Sequence, residues 1–224
     1  MVKLRIGGKA RSPVEISAEI LKALRARAEA ALDKPIERAV ITVPAYFDDA
    51  ARTATRDAAR VAGLEVLRLV NEPTAAALAY GLDKGSEGLY AVYDLGGGTF
   101  DFSLLRLEKG VFQVLATGGD AALGGDDFDR AIAERMLDER KRDGIADQVD
   151  EAAVKRALAL ARQVKEQLSE RDQTSGRLEL AGTPSFHTLG RAEFEAMISG
   201  HIERTLDIAA NVLTDAGMTA SDVQ

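Results

Sequence analysis

A mixed α/β protein of two units is predicted here, on three observations. From residue 2 to about residue 81, strand-like apolar runs alternate with helix-like segments, the order that builds a layered α/β fold. Apolar periodicity then stops at the polar, glycine-containing stretch Asp83-Lys84-Gly85-Ser86-Glu87-Gly88. Beyond it, three strand-like runs follow one another across glycine turns before the chain turns helical. A boundary is therefore expected between a unit 1–87 and a unit 88–224.

In the first unit, Val2 to Ile6 alternates like a short strand and Gly7-Gly8 marks its turn. Ser12-Pro13-Val14-Glu15 is a capping box with proline at the first helical position, in which hydroxyl and carboxylate satisfy two otherwise orphaned N–H groups. Ile16, Ile20, Leu21, Leu24 and Ala28 recur at helical spacing, which predicts a helix to about Leu32. Ala39 to Val43 reads as a buried-type strand ended by Pro44. Asp48 or Asp49 then caps a helix that reaches Ala62 and stops at Gly63. Val66 to Val70 is the next strand, and Glu72-Pro73-Thr74 opens an alanine-rich helix to about Gly81.

In the second unit, Leu89 to Asp94, Phe100 to Leu107 and Val111 to Thr117 predict an antiparallel meander, with Glu108-Lys109-Gly110 as its second turn. Asp126 is expected to cap a helix from Asp127 to about Lys141. Glu151 to Leu168 and Arg191 to Ala216, the latter stopped by Gly217, are two further helices. Arg177 to Leu180 and Phe186 to Leu189 are short strand candidates between them.

Composition narrows the function classes. The chain has 224 residues, 46% hydrophobic and 29% charged, with a formal net charge of −7 and no lysine or arginine block, so neither a nucleic acid nor an anionic membrane is an expected partner. The absence of cysteine removes disulfides and thiolate metal sites and fits a reducing cytoplasm. No apolar run approaches the roughly 18 residues of a membrane span. Only His187 and His201 are present, read as surface or structural residues, so a histidine-rich catalytic metal centre is not expected.

The most informative stretch is Asp94-Leu95-Gly96-Gly97-Gly98-Thr99-Phe100-Asp101, where two carboxylates flank three glycines between strands. Glycine backbone N–H groups can approach an anion closely, and carboxylate oxygens suit a hard cation such as magnesium that bridges to phosphate. The bland reading is a solvated hairpin. Gly119 to Asp126 has the glycine spacing of a P-loop but lacks its lysine, so a Walker site is rejected. Gly124-Gly125 before a helix would still present unpaired N–H groups at the positive end of a dipole, or serve as plain capping. Pro44 to Asp49 and Asn71-Glu72-Pro73 lie at strand ends, where α/β proteins place ligand contacts; turn chemistry and dipole compensation are the simpler readings. Lys165 and Ser169 share one helix face, suited to a base and ribose or to solvent.

Taken together and in order, Val43-Pro44-Ala45-Tyr46-Phe47-Asp48-Asp49, Asn71-Glu72-Pro73-Thr74-Ala75-Ala76-Ala77, Asp94 to Asp101 and Leu123-Gly124-Gly125-Asp126-Asp127-Phe128-Asp129 resemble the ATPase domain of DnaK-type heat-shock chaperones. Ser12 to Leu21 and Thr117-Gly118-Gly119-Asp120 are most similar to its iron–sulfur assembly branch. The resemblance implies an actin-like (ribonuclease H-like) fold whose two lobes close on Mg-ATP. It implies that Asp94 and Asp101 hold magnesium and a monovalent ion such as potassium, and that Gly96, Gly97, Gly98 and Thr99 cradle the β and γ phosphates. Glu72 would orient the attacking water or the metal's waters. Gly124 and Gly125 would face the nucleotide, with Lys165 and Ser169 on the adenosine side. Pro44 and Arg52 match positions that relay nucleotide state between domains.

The departures from the family pattern also carry expectations. An Asp-Leu-Gly-Thr-Thr hairpin and a catalytic lysine are missing before Ser12, and a Gly-Gly-Ser-Thr-Arg loop is missing after Gly217. Arg162 stands where many members carry an acidic adenosine contact, and Ala121 where threonine is common. The resemblance thus implies an ATPase domain truncated at both ends and weak or inactive by itself. In its parent protein it would gate client binding in iron–sulfur cluster assembly, with a scaffold protein and a J-type co-chaperone. The alternatives are another actin-fold phosphotransferase such as a sugar kinase, or a non-catalytic module that self-associates through an unpaired sheet edge.

Overall fold

The computed structural model describes residues 3–82, 87–145 and 150–224. The interruption expected at 83–88 lies mostly outside them. The described residues form a mixed α/β protein with two compact units: 1–92, 103–117 and 223–224 in one, 93–102 and 118–222 in the other. This division runs through the meander strands.

The first unit opens with β1 (Leu4–Ile6), paired antiparallel with β2 (Lys9–Arg11) across Gly7 and Gly8, whose φ values are +57° and +78°. The second strand has no apolar alternation of its own and is absent from the sequence reading. Helix α1 (Pro13–Leu32) begins at the expected capping box: Ser12 N donates to Glu15 Oε2 at 2.7 Å, and Glu15 N donates to Ser12 Oγ at 3.3 Å. Strand β3 (Arg38–Val43) runs parallel to β4 (Glu65–Asn71), connected by α2 (Asp49–Val61), which Asp48 caps through Ala51 N at 2.8 Å. Buried Ala18, Ala58 and Ala62 sit between α1 and α2, where small side chains permit close helix approach, with Val14 and Leu21 packed against them. Arg25 of α1 donates to Gly63 O at 3.1 Å and so satisfies a carbonyl just beyond α2. Glu72 then starts the short helix α3 (Glu72–Ala79) directly from β4.

The predicted meander is present as β5 (Gly88–Leu95), β6 (Phe100–Glu108) and β7 (Val111–Asp120), in that order across the sheet. Phe100, Phe102, Leu104, Leu105 and Leu107 are all buried, the mark of a central strand covered on both faces. Lys109 and Gly110, with φ of +50° and +75°, make the tight turn between β6 and β7. At the far end of the chain, Val223 bridges Leu89 in parallel, and Gln224 N donates to Leu89 O at 2.9 Å.

The second unit is built from α4 (Gly125–Arg142), α5 (Glu151–Leu168), a hairpin of β8 (Gln173–Leu180) and β9 (Thr183–Gly190), and α6 (Arg191–Asp215). Its core joins Ile132, Ala133 and Met136 of α4 to Ala153, Ala157, Ala161, Val164 and Leu168 of α5 and to Leu178, Leu180 and Leu189 of the hairpin. Each large aliphatic side chain buried there contributes roughly 1.5–3 kcal/mol of transfer free energy. Beneath the hairpin lies a buried polar chain. Glu139 Oε2 is 2.7 Å from His187 Nδ1, His187 Nε2 is 2.7 Å from Ser185 Oγ, and Arg140 Nη1 donates to Ser185 Oγ at 2.6 Å. His187 is thus the structural residue expected of it. Arg191 closes α5 by donating to Leu168 O at 2.9 Å and Arg171 O at 3.1 Å. Among the described residues, no helix is long and apolar enough to cross a membrane.

Candidate functional site

The glycine stretch makes the turn that its sequence predicts. Gly96 N donates to Thr99 O at 2.9 Å, which reverses the chain between β5 and β6 and leaves Asp94 near the end of one strand and Asp101 near the start of the next. The Asp101 carboxyl is held above the usual carboxylate range, first by desolvation on burial and then by the neighbouring Asp94 charge, against a hydrogen bond from Thr99 that favours the ionised form. A carboxylate whose ionisation is made costlier by a neighbouring carboxylate suits a hard cation between the two. Among the described residues no group of three or more acidic or histidine side chains surrounds a metal position. Water or phosphate oxygens would therefore complete the shell, the habit of magnesium rather than of an all-protein calcium cage.

The start of α4 is fastened onto this turn. Gly125 N donates to Gly96 O at 2.9 Å and Asp126 N to Gly97 O at 2.7 Å, while Gly124 N donates to Asp127 Oδ2 at 2.9 Å. This corrects two expectations. The N–H groups of Gly124 and Gly125 are not unpaired, because the loop carbonyls and Asp127 satisfy them. Nor is Asp126 the helix cap, because docking onto the loop starts the helix earlier, after Gly124. A Cβ on Gly124 would stand 2.5 Å from Gly97 O and 2.7 Å from Gly98 N, so only glycine permits the approach. Gly97 and Gly98 keep N–H groups with no protein acceptor among the described residues.

Two further residues, named in the sequence only as members of motifs, support the turn in roles that the sequence reading did not assign. A Cβ on Gly119 of β7 would lie 2.5 Å from Phe100 O and 3.0 Å from Asp101 Oδ1, so this glycine makes room for the acidic strand. Asp129 is buried and ion-paired at 2.7 Å with Lys165 Nζ, which also donates to Gly125 O at 2.8 Å. Lys165 thereby ties α5 to the first turn of α4. Lys165 and Ser169 both line a hollow of about 410 Å³ among α4, α5 and α6, together with Phe128, Phe194 and Ile198. The shared helix face read from their spacing therefore opens on a cavity.

The remaining candidates belong to the first unit. Pro44 ends β3 and its carbonyl accepts Phe47 N at 3.2 Å. Arg52 of α2 donates to Phe47 O at 2.9 Å and to Asn71 Oδ1 at 2.8 Å. Glu72 follows Asn71 as the first residue of α3.

The family model described as Hsp70 protein matches residues 1–224, the whole chain. The chain belongs to the Hsp70 family. Within that family it is 55% identical over 213 residues to a chaperone protein HscA homolog of Azotobacter vinelandii, covering 95% of this chain and 33% of the relative. It is 54% identical over 212 residues to the chaperone protein HscA of Serratia proteamaculans, with 95% and 33% covered, and 52% identical over 224 residues to the HscA homolog of Variovorax paradoxus, with 100% and 36% covered. The chain thus spans about a third of the length of these Hsp70 relatives. The resemblance first carried by four motifs extends along the sequence between them.

Proposed function

We propose that this chain is part of the ATPase domain of an Hsp70-type chaperone, one that binds ATP or ADP with magnesium and couples hydrolysis to the gating of client binding. The observation that carries this reading is the docking of the α4 start onto the Gly96–Gly98 turn beside Asp94 and Asp101. It leaves the Gly97 and Gly98 N–H groups for phosphate oxygens and two carboxylates for a cation. Magnesium, when bound, supplies charge neutralisation at the transferring phosphate.

The chain's own residues then act by positioning and charge. Asp94 and Asp101 hold the divalent ion and a monovalent ion such as potassium. Gly96, Gly97, Gly98 and Thr99 cradle the β and γ phosphates. Gly124 and Gly125 bring α4 against that cradle, and Lys165 fixes their position. Lys165 and Ser169 offer the adenosine side of the nucleotide a helix face beside a hollow of fitting size. Glu72 orients the attacking water or the metal's waters, and Pro44 and Arg52 transmit nucleotide state. The relatives' name HscA supports the iron–sulfur assembly branch, with a scaffold protein, a J-type co-chaperone and a cytoplasmic setting.

Calorimetric titration of the 224-residue chain with ADP and ATP in magnesium tests this. Micromolar affinity, about −8 kcal/mol, is expected for the wild type, with Asp94→Asn weaker. The absence of binding heat from the folded chain would overturn the reading for this chain, and unchanged affinity in Asp94→Asn would overturn the metal role.

A further inference from the structure

Asp126 is the acidic residue of the α4 start that the proposed function leaves without a task. Its N–H donates to Gly97 O at 2.7 Å, which fixes its backbone against the turn. Its carboxylate reaches back along the same loop: Cβ atoms built on Gly97 and Gly98 would stand 3.6 Å from Oδ1 and 4.0 Å from Oδ2. The carboxylates around it are committed elsewhere. Asp127 accepts Gly124 N and pairs with Arg130 at 2.9 Å, Asp129 pairs with Lys165 at 2.7 Å, and Asp120 pairs with Arg204. Asp126 is exposed; its carboxylate accepts no hydrogen bond among the described residues, and the cation within its electrostatic reach is Arg162, which is itself hydrogen-bonded to Glu166 at 3.1 Å.

We propose that Asp126 is a charge gate on the glycine cradle, a positioning residue that makes nucleotide affinity depend on a bridging cation. The inference rests on the nucleotide reading above and adds to it a residue that sets which form of the nucleotide is accepted. A phosphate reaching for the Gly97 and Gly98 N–H groups comes beside the Asp126 carboxylate. Two anions held side by side at the same loop repel one another. A cation between them reverses the sign, so the same carboxylate that excludes a bare diphosphate favours its metal complex. Asp94 and Asp101 can hold a metal without Asp126. What Asp126 adds is discrimination against the metal-free ligand, exerted from the helix that closes the cradle.

The test is calorimetric titration of the chain with ADP, once in magnesium and once in excess EDTA, for wild type, Asp126→Asn, Asp126→Glu and Asp138→Asn. The readout is the ratio of the two dissociation constants. Asp126→Asn is expected to shrink that ratio about tenfold, chiefly by tightening metal-free binding. Asp126→Glu should retain the wild-type ratio. Asp138→Asn removes a charge from the same helix three turns further on, beyond a Debye length, and should also leave the ratio alone. A ratio for Asp126→Asn within about twofold of wild type, or an equal change in Asp138→Asn, overturns the gate. Absence of wild-type binding in magnesium overturns the nucleotide reading and the gate with it, whereas wild-type binding with an unaltered ratio overturns the gate alone.

Discussion

Arg52 and Asn71 are joined by a 2.8 Å hydrogen bond from Nη2 to Oδ1, across 19 positions of sequence. The same guanidinium donates to Phe47 O at 2.9 Å, so one side chain on α2 grips both the turn after Pro44 and the residue before Glu72. Charge-assisted bonds of this kind are worth more than neutral ones, and their loss leaves a half-buried carbonyl and amide unpaired. Arg52→Ala is expected to lower stability by about 2 kcal/mol. Arg52→Lys should recover little of it, because an ammonium cannot serve two diverging acceptors as a planar fork does. Urea denaturation checks both, and a loss below about 0.5 kcal/mol for Arg52→Ala would rule out the grip.

Asp101 gives the site a pH dependence of unusual sign. Its folded-state pKa is raised, first by burial and then by Asp94, so the native state holds that proton more tightly than the unfolded chain. Its contribution to stability therefore falls as pH rises from the ordinary carboxylate range through the raised folded pKa, and the penalty is complete above it. Asp101→Asn, which removes the charge but keeps the shape, is expected to raise Tm at neutral pH and flatten the mildly acidic part of the stability profile. Magnesium should reduce the same penalty in the wild type by neutralising the carboxylate pair. A lower Tm for Asp101→Asn at neutral pH would contradict the charge argument.

What the sequence made legible follows from the range of each interaction. The Ser12–Glu15 capping box, the Lys109-Gly110 turn and the Asp94–Asp101 hairpin are local, and all three form as read. Strand β2 was not legible because Lys9-Ala10-Arg11 has no strand pattern and is held by its register with β1. The β8–β9 hairpin runs longer at both strand starts than its apolar residues suggested, since Gln173, Thr174 and Ser175 are polar yet paired. The sequence places the cap of α4 at Asp126, two residues late, because contacts with the distant Gly96 and Gly97 carbonyls decide where the helix starts. The roles of Gly119 and Asp129 are likewise contacts across strands or helices, for which neither residue has a local signature.

Two glycines with opposite surroundings separate packing from propensity. Gly124 has backbone atoms of Gly97 and Gly98 within 2.7 Å of where a Cβ would sit, and backbone cannot rotate away. Gly200, inside α6, has nothing within 4 Å of that position. Gly124→Ala is expected to cost about 1–3 kcal/mol through overpacking, with loss of any nucleotide binding as the cradle shifts. Gly200→Ala should gain about 0.5–1 kcal/mol from helix propensity alone. Thermal unfolding of the two variants beside the wild type checks the contrast, and a neutral Gly124→Ala would disprove the close approach.

The exposed side of the β3–β4 pair carries the last prediction. Parallel strands are stable chiefly when both faces are covered, yet this sheet has two strands, and Val40 and Leu67 are each 56% exposed. Beyond their mutual ladder, the outer edges of β3 and β4 have no strand partner among the described residues. Open backbone edges next to bare apolar side chains are a template for pairing with another chain. The isolated 224-residue chain is therefore expected to self-associate, with a weight-average mass in sedimentation equilibrium that rises with concentration. Val40→Lys and Leu67→Lys each place a charge at an exposed apolar position of the pair without touching the alanine contacts of α1 and α2, and the two together should return the chain to monomer. Mass independent of concentration in the wild type would show that the open sheet edge does not drive association. Association unchanged with both lysines in place would move the contact to another surface.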